Sequence, residues 1–193
     1  AVVIPSKETP RIQEGYLCAC HTMCGIVERE LFGQRAVLID RDDTIAKDVP
    51  YCDDPAKFEL YEHVPPAIKR LNDAGYKVIV VTNQSGIGRG YFTEETLSRI
   101  HGKMIRTVEA AGGRIDDVFH CPHTPDDHCS CRKPEVGMGL AAISKHSINP
   151  RISFMVGDHE KDMEFGRRLG FRCIQVSESF TFSDAVDEIL RSP

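Results

Sequence analysis

An α/β fold with one parallel sheet is what this sequence predicts, and two observations carry the prediction. Five short β-branched or apolar runs recur along the chain, and the segments between them carry apolar residues at helical spacing. The runs are mostly continuous in apolar character rather than alternating, as strands buried on both faces are.

Taken in order, the first run is Ala36 to Ile39. A helical stretch follows from Val64 to Ala74, with Ile68 and Leu71 on its inner side and Gly75 as its stop. Val78 to Val81 is the second strand. Thr93 then opens a helix through Leu97, Ile100, Met104, Ile105 and Val108 that ends at Gly112 and Gly113. Thr93 is a good N-cap, and Glu94 and Glu95 place acids in the first turn, where they complement the helix dipole. Strands at Asp117 to His120, Ile152 to Val156 and Arg172 to Val176 alternate with helices at Asp162 to Leu169 and Ser183 to Leu190. In such doubly wound sheets ligands bind beyond the carboxyl ends of the strands, so chemistry is sought just after each run. Residues 1–34 fit no element of this alternation and read as an N-terminal extension to a domain at 35–193.

Composition narrows the function. A chain of 193 residues, 41% hydrophobic and 27% charged, has the makeup of an ordinary globular domain. No stretch reaches the roughly 20 apolar residues of a membrane helix, and the N-terminus lacks the order of a signal peptide. The expectation is a cytoplasmic monomer with no membrane partner. With 24 Lys and Arg against 29 Asp and Glu, the formal net charge is −5, which argues against nonspecific nucleic-acid binding. A small molecule is the better substrate.

The first strand runs into Asp40-Arg41-Asp42-Asp43-Thr44. Carboxylates at i and i+2 can serve as nucleophile and proton donor beside a Mg²⁺ that neutralises an incoming phosphate. Solvated Asp-rich turns are common, so the motif alone decides little. An EF-hand is excluded, because its sixth position is Ala46 rather than Gly and its twelfth lacks Glu. The second strand ends in Thr82-Asn83-Gln84-Ser85-Gly86-Ile87-Gly88-Arg89-Gly90. Its hydroxyl and amides suit phosphate oxygens, while the glycine spacing and position exclude a dinucleotide fingerprint. After the fourth strand, Gly157-Asp158 with Asp162 supplies acids facing the first pair. Asp158 can complete the Mg²⁺ site, and Asp162 reads equally as an early helix acid.

Eight cysteines are too few for a disulfide scaffold of this length, and their clustering is more telling. Cys121, His123, Cys129 and Cys131 can close a tetrahedral shell around a structural Zn²⁺, with His120 and His128 as bystanders. The ion would hold the following Arg132 and Lys133 against the site as anion-binding groups. Cys18, Cys20, His21 and Cys24 read either as a second metal or redox site or as free thiols on an unstructured leader. Cys52 and Cys173 read as buried small residues.

Together, DRDxTI, VVTNQSGIxRGYFTE, CPH with CxCRKP, and VGDxxxDM resemble the haloacid dehalogenase (HAD) superfamily. Within it they look like the D-glycero-D-manno-heptose 1,7-bisphosphate 7-phosphatases, over residues from about 35 to 176. The short His123-to-Cys129 spacing looks more like the related histidinol-phosphate phosphatases, whereas RGYFTE looks like the heptose branch. The resemblance implies a Rossmann-like sheet with a minimal cap and a zinc-binding loop, acting on a small phosphorylated metabolite. It implies Asp40 as the nucleophile that forms an aspartyl-phosphate, and Asp42 as general acid and base. Mg²⁺ would be held by Asp40, the Asp42 backbone carbonyl and Asp158. Thr82, Asn83 and Lys133 would bind the phosphoryl group with Gln84 beside them, and Arg89 and Arg132 would meet a second anionic group.

Three positions depart from the family pattern: Asp43 for Gly, His159 for Lys, and Ala46 for a polar residue. They bear on substrate more than on reaction class, and Asp tolerates a left-handed turn better than most residues. Histidinol phosphate is the second substrate expected, and a phosphate at nucleic-acid 3′ ends the third. From a different class, a zinc-stabilised binding module disabled by Asp43 is the alternative.

Overall fold

The computed structural model describes residues 3–192. After helix α1 (Thr9–Phe32) come β1 (Ala36–Ile39), α2 (Val64–Asp73), β2 (Lys77–Asn83), α3 (Glu94–Ala110), β3 (Asp117–Cys121) and α4 (Gly137–His146). The order closes with β4 (Phe154–Gly157), α5 (Glu160–Leu169), β5 (Arg172–Gln175) and α6 (Phe182–Arg191). The five strands form one parallel sheet in the order β3-β2-β1-β4-β5. Ile39 of β1 lies in register with Val80 on one side and Val156 on the other. The chain therefore winds both ways from β1, and the crevice of a doubly wound sheet opens where Asp40 leaves it.

Both faces of the three central strands are covered, which is why β1, β2 and β4 read as nearly unbroken apolar runs. On one, Val37, Ile39, Val78 and Val80 pack with Ile68, Leu71, Ile100, Met104, Val186 and Ile189 from α2, α3 and α6. On the other, Leu38, Ile79, Val81 and Met155 meet Ala142, Ile143 and Phe165 from α4 and α5. Between β1 and α2, residues 40–63 form an irregular loop with isolated bridges at Asp42, Ala46 and Leu60, so the cap is minimal as expected.

Three elements differ from the sequence expectation. The fourth strand starts at Phe154, not Ile152, because Pro150–Ile152 forms a 3₁₀ turn whose Asn149 side chain accepts from the Arg151 N–H. Helix α4 gave no usable pattern, since Gly137, Gly139 and Ser144 dilute its apolar spacing. Gly139 is there for close approach: a Cβ would fall 2.2 Å from Leu169 Cδ1. Most of the supposed leader is the 24-residue helix α1, on which Tyr16, Leu17, Met23, Ile26, Val27 and Leu31 remain exposed. Cys18, Cys20 and Cys24 are exposed free thiols there. Cys18 and Cys20, two apart on a helix, diverge by about 200°. Among the described residues these thiols do not form a group that could hold a metal.

Candidate active site

At the carboxyl edge of the sheet, the Asp40 N–H continues the ladder by donating to Val156 O at 2.9 Å, which fixes the residue at the mouth of the crevice. Its carboxylate accepts from the Arg41 N–H at 2.8 Å. Lys133 Nζ, fully buried, stands 2.8 Å from Asp40 Oδ1 and 2.7 Å from Asp162 Oδ1. Oxygens of Asp40, Asp158 and Asp162 all lie within 4.8 Å of one another. Strand ends thus bring together groups separated by more than a hundred residues.

The electrostatics follow from crowding. Burial and then the Asp40 charge raise the pKa values of Asp158 and Asp162, an effect that Lys133 opposes at Asp162. Burial alone would depress Lys133, but the Asp40 and Asp162 charges outweigh it and raise its pKa. Three carboxylates against one ammonium leave an excess of negative charge around hard oxygen donors, a donor set suited to a divalent cation. Thr44 Oγ1 donates to Asp158 Oδ1 at 3.2 Å and steadies that carboxylate.

Asp42 is held differently. Arg41 Nε donates to Asp42 Oδ1 at 2.9 Å and Nη2 to Oδ2 at 3.0 Å, while Gln84 Nε2 donates to Oδ2 at 2.9 Å and to Thr82 Oγ1 at 2.8 Å. Asp42 keeps 29% of its side-chain surface open and lines a cavity of about 240 Å³ together with Asn83, Gln84, Ser85, Tyr51 and Phe92. Exposed Tyr51 and Tyr91 stack edge-on, with centroids 4.7 Å apart. A larger cavity of about 610 Å³ lies on the other flank, bordered by Asp43, Thr44, Tyr61, His63 and Asp158.

Asn83 pairs with the Lys133 backbone, donating from Nδ2 to its carbonyl at 3.2 Å and accepting its N–H on Oδ1 at 3.0 Å. It fixes the lysine's main chain, and Thr82 is fully buried beneath Gln84. Arg132 Nη1 donates to His123 O at 3.2 Å, whereas Arg89 is exposed and borders neither of these cavities. Asp43 adopts φ +54°, the left-handed turn expected of a Gly substitute. Its Oδ1 accepts the Asp48 N–H at 3.2 Å.

The Cys/His group does converge. Cys121 Sγ lies 3.6 Å from both His123 Nδ1 and Cys129 Sγ, and Cys131 Sγ lies 3.2 Å from both Cys121 Sγ and His123 Nδ1. A tetrahedral Zn²⁺ at ordinary bond lengths sets its ligands about 3.5–3.8 Å apart; the 3.6 Å pairs match this and the 3.2 Å pairs are a few tenths tighter, so a small outward shift would seat one ion. Burial raises the Cys121 and Cys131 thiols, while at Cys129 it is outweighed by the Cys131 and Arg132 N–H groups and the neighbouring thiols, which lower that thiol to about 7. In the 86–90 loop Gly88 allows close approach to this neighbour: a Cβ there would lie 2.8 Å from Pro122 O, whereas one on Gly86 would meet the Phe92 ring.

Comparison with known proteins places this arrangement. A HAD-hydrolase-like family model matches residues 130–191. A probable D-glycero-D-manno-heptose-1,7-bisphosphate 7-phosphatase of Thermoplasma volcanium is 41% identical over 136 residues, 70% of this chain and 93% of that protein. The chain belongs to the heptose-1,7-bisphosphate 7-phosphatase family of HAD hydrolases. As a HAD-family phosphatase, it is a phosphoric monoester hydrolase. The D-glycero-beta-D-manno-heptose-1,7-bisphosphate 7-phosphatase of Haemophilus ducreyi is 40% identical over 72% of this chain and 81% of its own. A solved D,D-heptose 1,7-bisphosphate phosphatase from B. bronchiseptica, complexed with magnesium and phosphate, superposes with a TM-score of 0.71 at 29% identity. It covers 81% of this chain and 98% of that one.

Sequence reasoning missed two contributors within this HAD site. Arg41 passed as a spacer between acids, although its side chain turns inward and is almost fully buried. The role of Asp162 as second partner to Lys133 was legible only as one of two readings of a helix acid.

Proposed function

We propose that this phosphatase removes the 7-phosphate of D-glycero-D-manno-heptose 1,7-bisphosphate through an aspartyl-phosphate on Asp40. The observation that carries the reading is the meeting of Asp40, Asp158 and Asp162 around Lys133, with Asp42 at the adjoining cavity. An Asp40 oxygen attacks phosphorus and the ester P–O bond breaks, while Asp42 protonates the departing sugar oxygen. Asp42 then takes a proton from water, whose oxygen attacks the acyl phosphate, releasing inorganic phosphate and restoring Asp40. Lys133 and the Thr82 to Gln84 segment offset the phosphoryl charge, which this chemistry needs more than covalent help.

Mg²⁺ would be held by Asp40, Asp158 and the Asp42 carbonyl; when bound it neutralises the phosphoryl oxygens and orients them for in-line attack. Zn²⁺ would be held by Cys121, His123, Cys129 and Cys131 as a structural ion. Arg132, and Arg89 from the rim, are assigned to the second phosphate. Every proposed catalytic group comes from one chain, so a monomer suffices, with residues 1–34 as an extension to the catalytic domain at 35–193. A cytoplasmic setting suits a thiolate zinc set, since a reducing compartment keeps cysteines unoxidised.

Phosphate release with Mg²⁺ from heptose 1,7-bisphosphate and from histidinol phosphate tests the reading. The bisphosphate should lead in kcat/KM by about tenfold or more, and Asp40→Asn should lose about a thousandfold. A wild-type chain no more active than Asp40→Asn would return it to the class of binding modules.

A further inference from the structure

Arg41 is among the largest fully buried side chains of the protein, at 1% exposure, yet it lies between two acids at the open end of the sheet. All three nitrogens of its guanidinium have partners. Nε and Nη2 grip both oxygens of Asp42, and Nη1 faces His101 Nε2 at 3.4 Å. The Phe58 ring lies 5.6 Å from Cζ. Burial, followed by the Arg41 and His120 charges, lowers the His101 imidazole to about 3, so the ring is neutral and its Nε2 can accept from Arg41. The proton then sits on Nδ1. The bidentate fork fixes both the position and the rotation of the carboxylate in a way a point charge cannot.

We propose that Arg41, braced by His101, is a positioning residue that holds the Asp42 carboxylate in the orientation from which it protonates the leaving oxygen. The proposal rests on the general-acid reading of Asp42 given above. The Arg41 side chain borders the cavity but keeps only 2% of its surface open, so it acts through that carboxylate rather than on the phosphate. Gln84 supplies the third donor and leaves the cavity-facing part of Asp42 open.

Leaving-group dependence separates this role from a merely structural one. The p-nitrophenolate anion departs without a proton, whereas p-methylphenolate departs much better with one, and the two esters are nearly the same shape. For Arg41→Lys, kcat/KM, which reports steps through formation of the aspartyl-phosphate, should fall less than about threefold with p-nitrophenyl phosphate. With p-methylphenyl phosphate it should fall by about tenfold or more, and with an alkyl phosphate such as heptose 1,7-bisphosphate by about a hundredfold. In an Asp42→Asn background, Arg41→Lys should add less than about twofold, because the group it positions is gone. His101→Phe, which keeps a ring but loses the acceptor, should show the same selectivity more weakly, and it carries the test if Arg41→Lys does not fold. Equal losses on all esters, or losses that multiply with those of Asp42→Asn, overturn the proposal. If Asp42→Asn itself shows no leaving-group selectivity, the general-acid reading fails first.

Discussion

The phosphoryl centre and the Cys/His loop lie side by side on the same edge of the sheet, yet they are assembled by opposite means. Asp40, Thr82 and Asp158 end or follow parallel strands whose register is fixed by two buried layers, so their placement is a by-product of core packing. The loop from Pro122 to Cys131 has one short 3₁₀ turn at Pro125–Asp127, no buried apolar residue, and a Thr124–Asp127 capping box as its main internal bond. Three candidate ligands, His123, Cys129 and Cys131, come from this loop and converge on the fourth, Cys121, which ends β3 and is fully buried. A region built on strands can carry excess charge for catalysis, while one without a core needs an ion to define it.

The largest expected effect breaks that contrast from the loop side. Cys131→Ser should lower stability by roughly 3 kcal/mol or more, a fall in Tm of about 10 °C, and abolish stoichiometric zinc binding. Activity should fall with it, since Lys133 follows two residues later and reaches Asp40 only while that backbone is held. Asp40→Asn is the complementary probe: it removes turnover but relieves repulsion among three carboxylates, so Tm should hold or rise. Thermal melts with metal analysis on both variants check the pair, and equal destabilisation by the two would erase the distinction between the regions.

The same contrast explains what was legible in the sequence. Parallel strands buried on both faces announce themselves, and β1 fell on Ala36–Ile39 as expected. The chemistry-bearing acids and the metal-type ligands were legible because their spacing is local. Arg41 and His101 were not, for their meaning lies in a contact between β1's end and the middle of α3, 60 residues apart. The pairing of the Asn83 side-chain amide with the Lys133 backbone was not legible either, because side-chain type does not disclose direction. Helix α1 was invisible for a different reason, since its apolar residues pair with no other pattern in the chain.

A middle-sized effect comes from the buried side of the phosphoryl centre. His101 titrates near 3 when folded and near 6.5 when unfolded, so the unfolded state takes up its proton first. The stability that its neutral burial confers is present above pH 6.5 and is lost as pH falls toward 3. Between pH 7 and pH 5 the loss should be about 2 kcal/mol, and His101→Gln should remove that slope from denaturant midpoints. Burial first, then Arg41 and the His120 ring at 5.9 Å, keep the folded value low. A slope unchanged in the variant would mean that other groups dominate acid unfolding.

The smallest effect tests Asp43, the departure from the family pattern that lies next to Asp42. Asp43 holds φ +54° and faces the larger cavity beside Asp158, so it combines a mild backbone cost with a charge near the proposed metal and phosphate. Asp43→Gly relieves the backbone but gives up the bond from the Asp48 N–H and frees the unfolded chain, so stability should move by less than about 1 kcal/mol. KM for a phosphorylated substrate should fall a few-fold as the repulsion goes. Asp43→Asn isolates the charge, because Asn accepts both the turn and the Asp48 bond; it should reproduce the lower KM with stability unchanged. If only Asp43→Gly improves turnover, backbone geometry rather than charge is what the substitution altered, and the edge of the phosphoryl centre is less rigidly set by its strands than its middle.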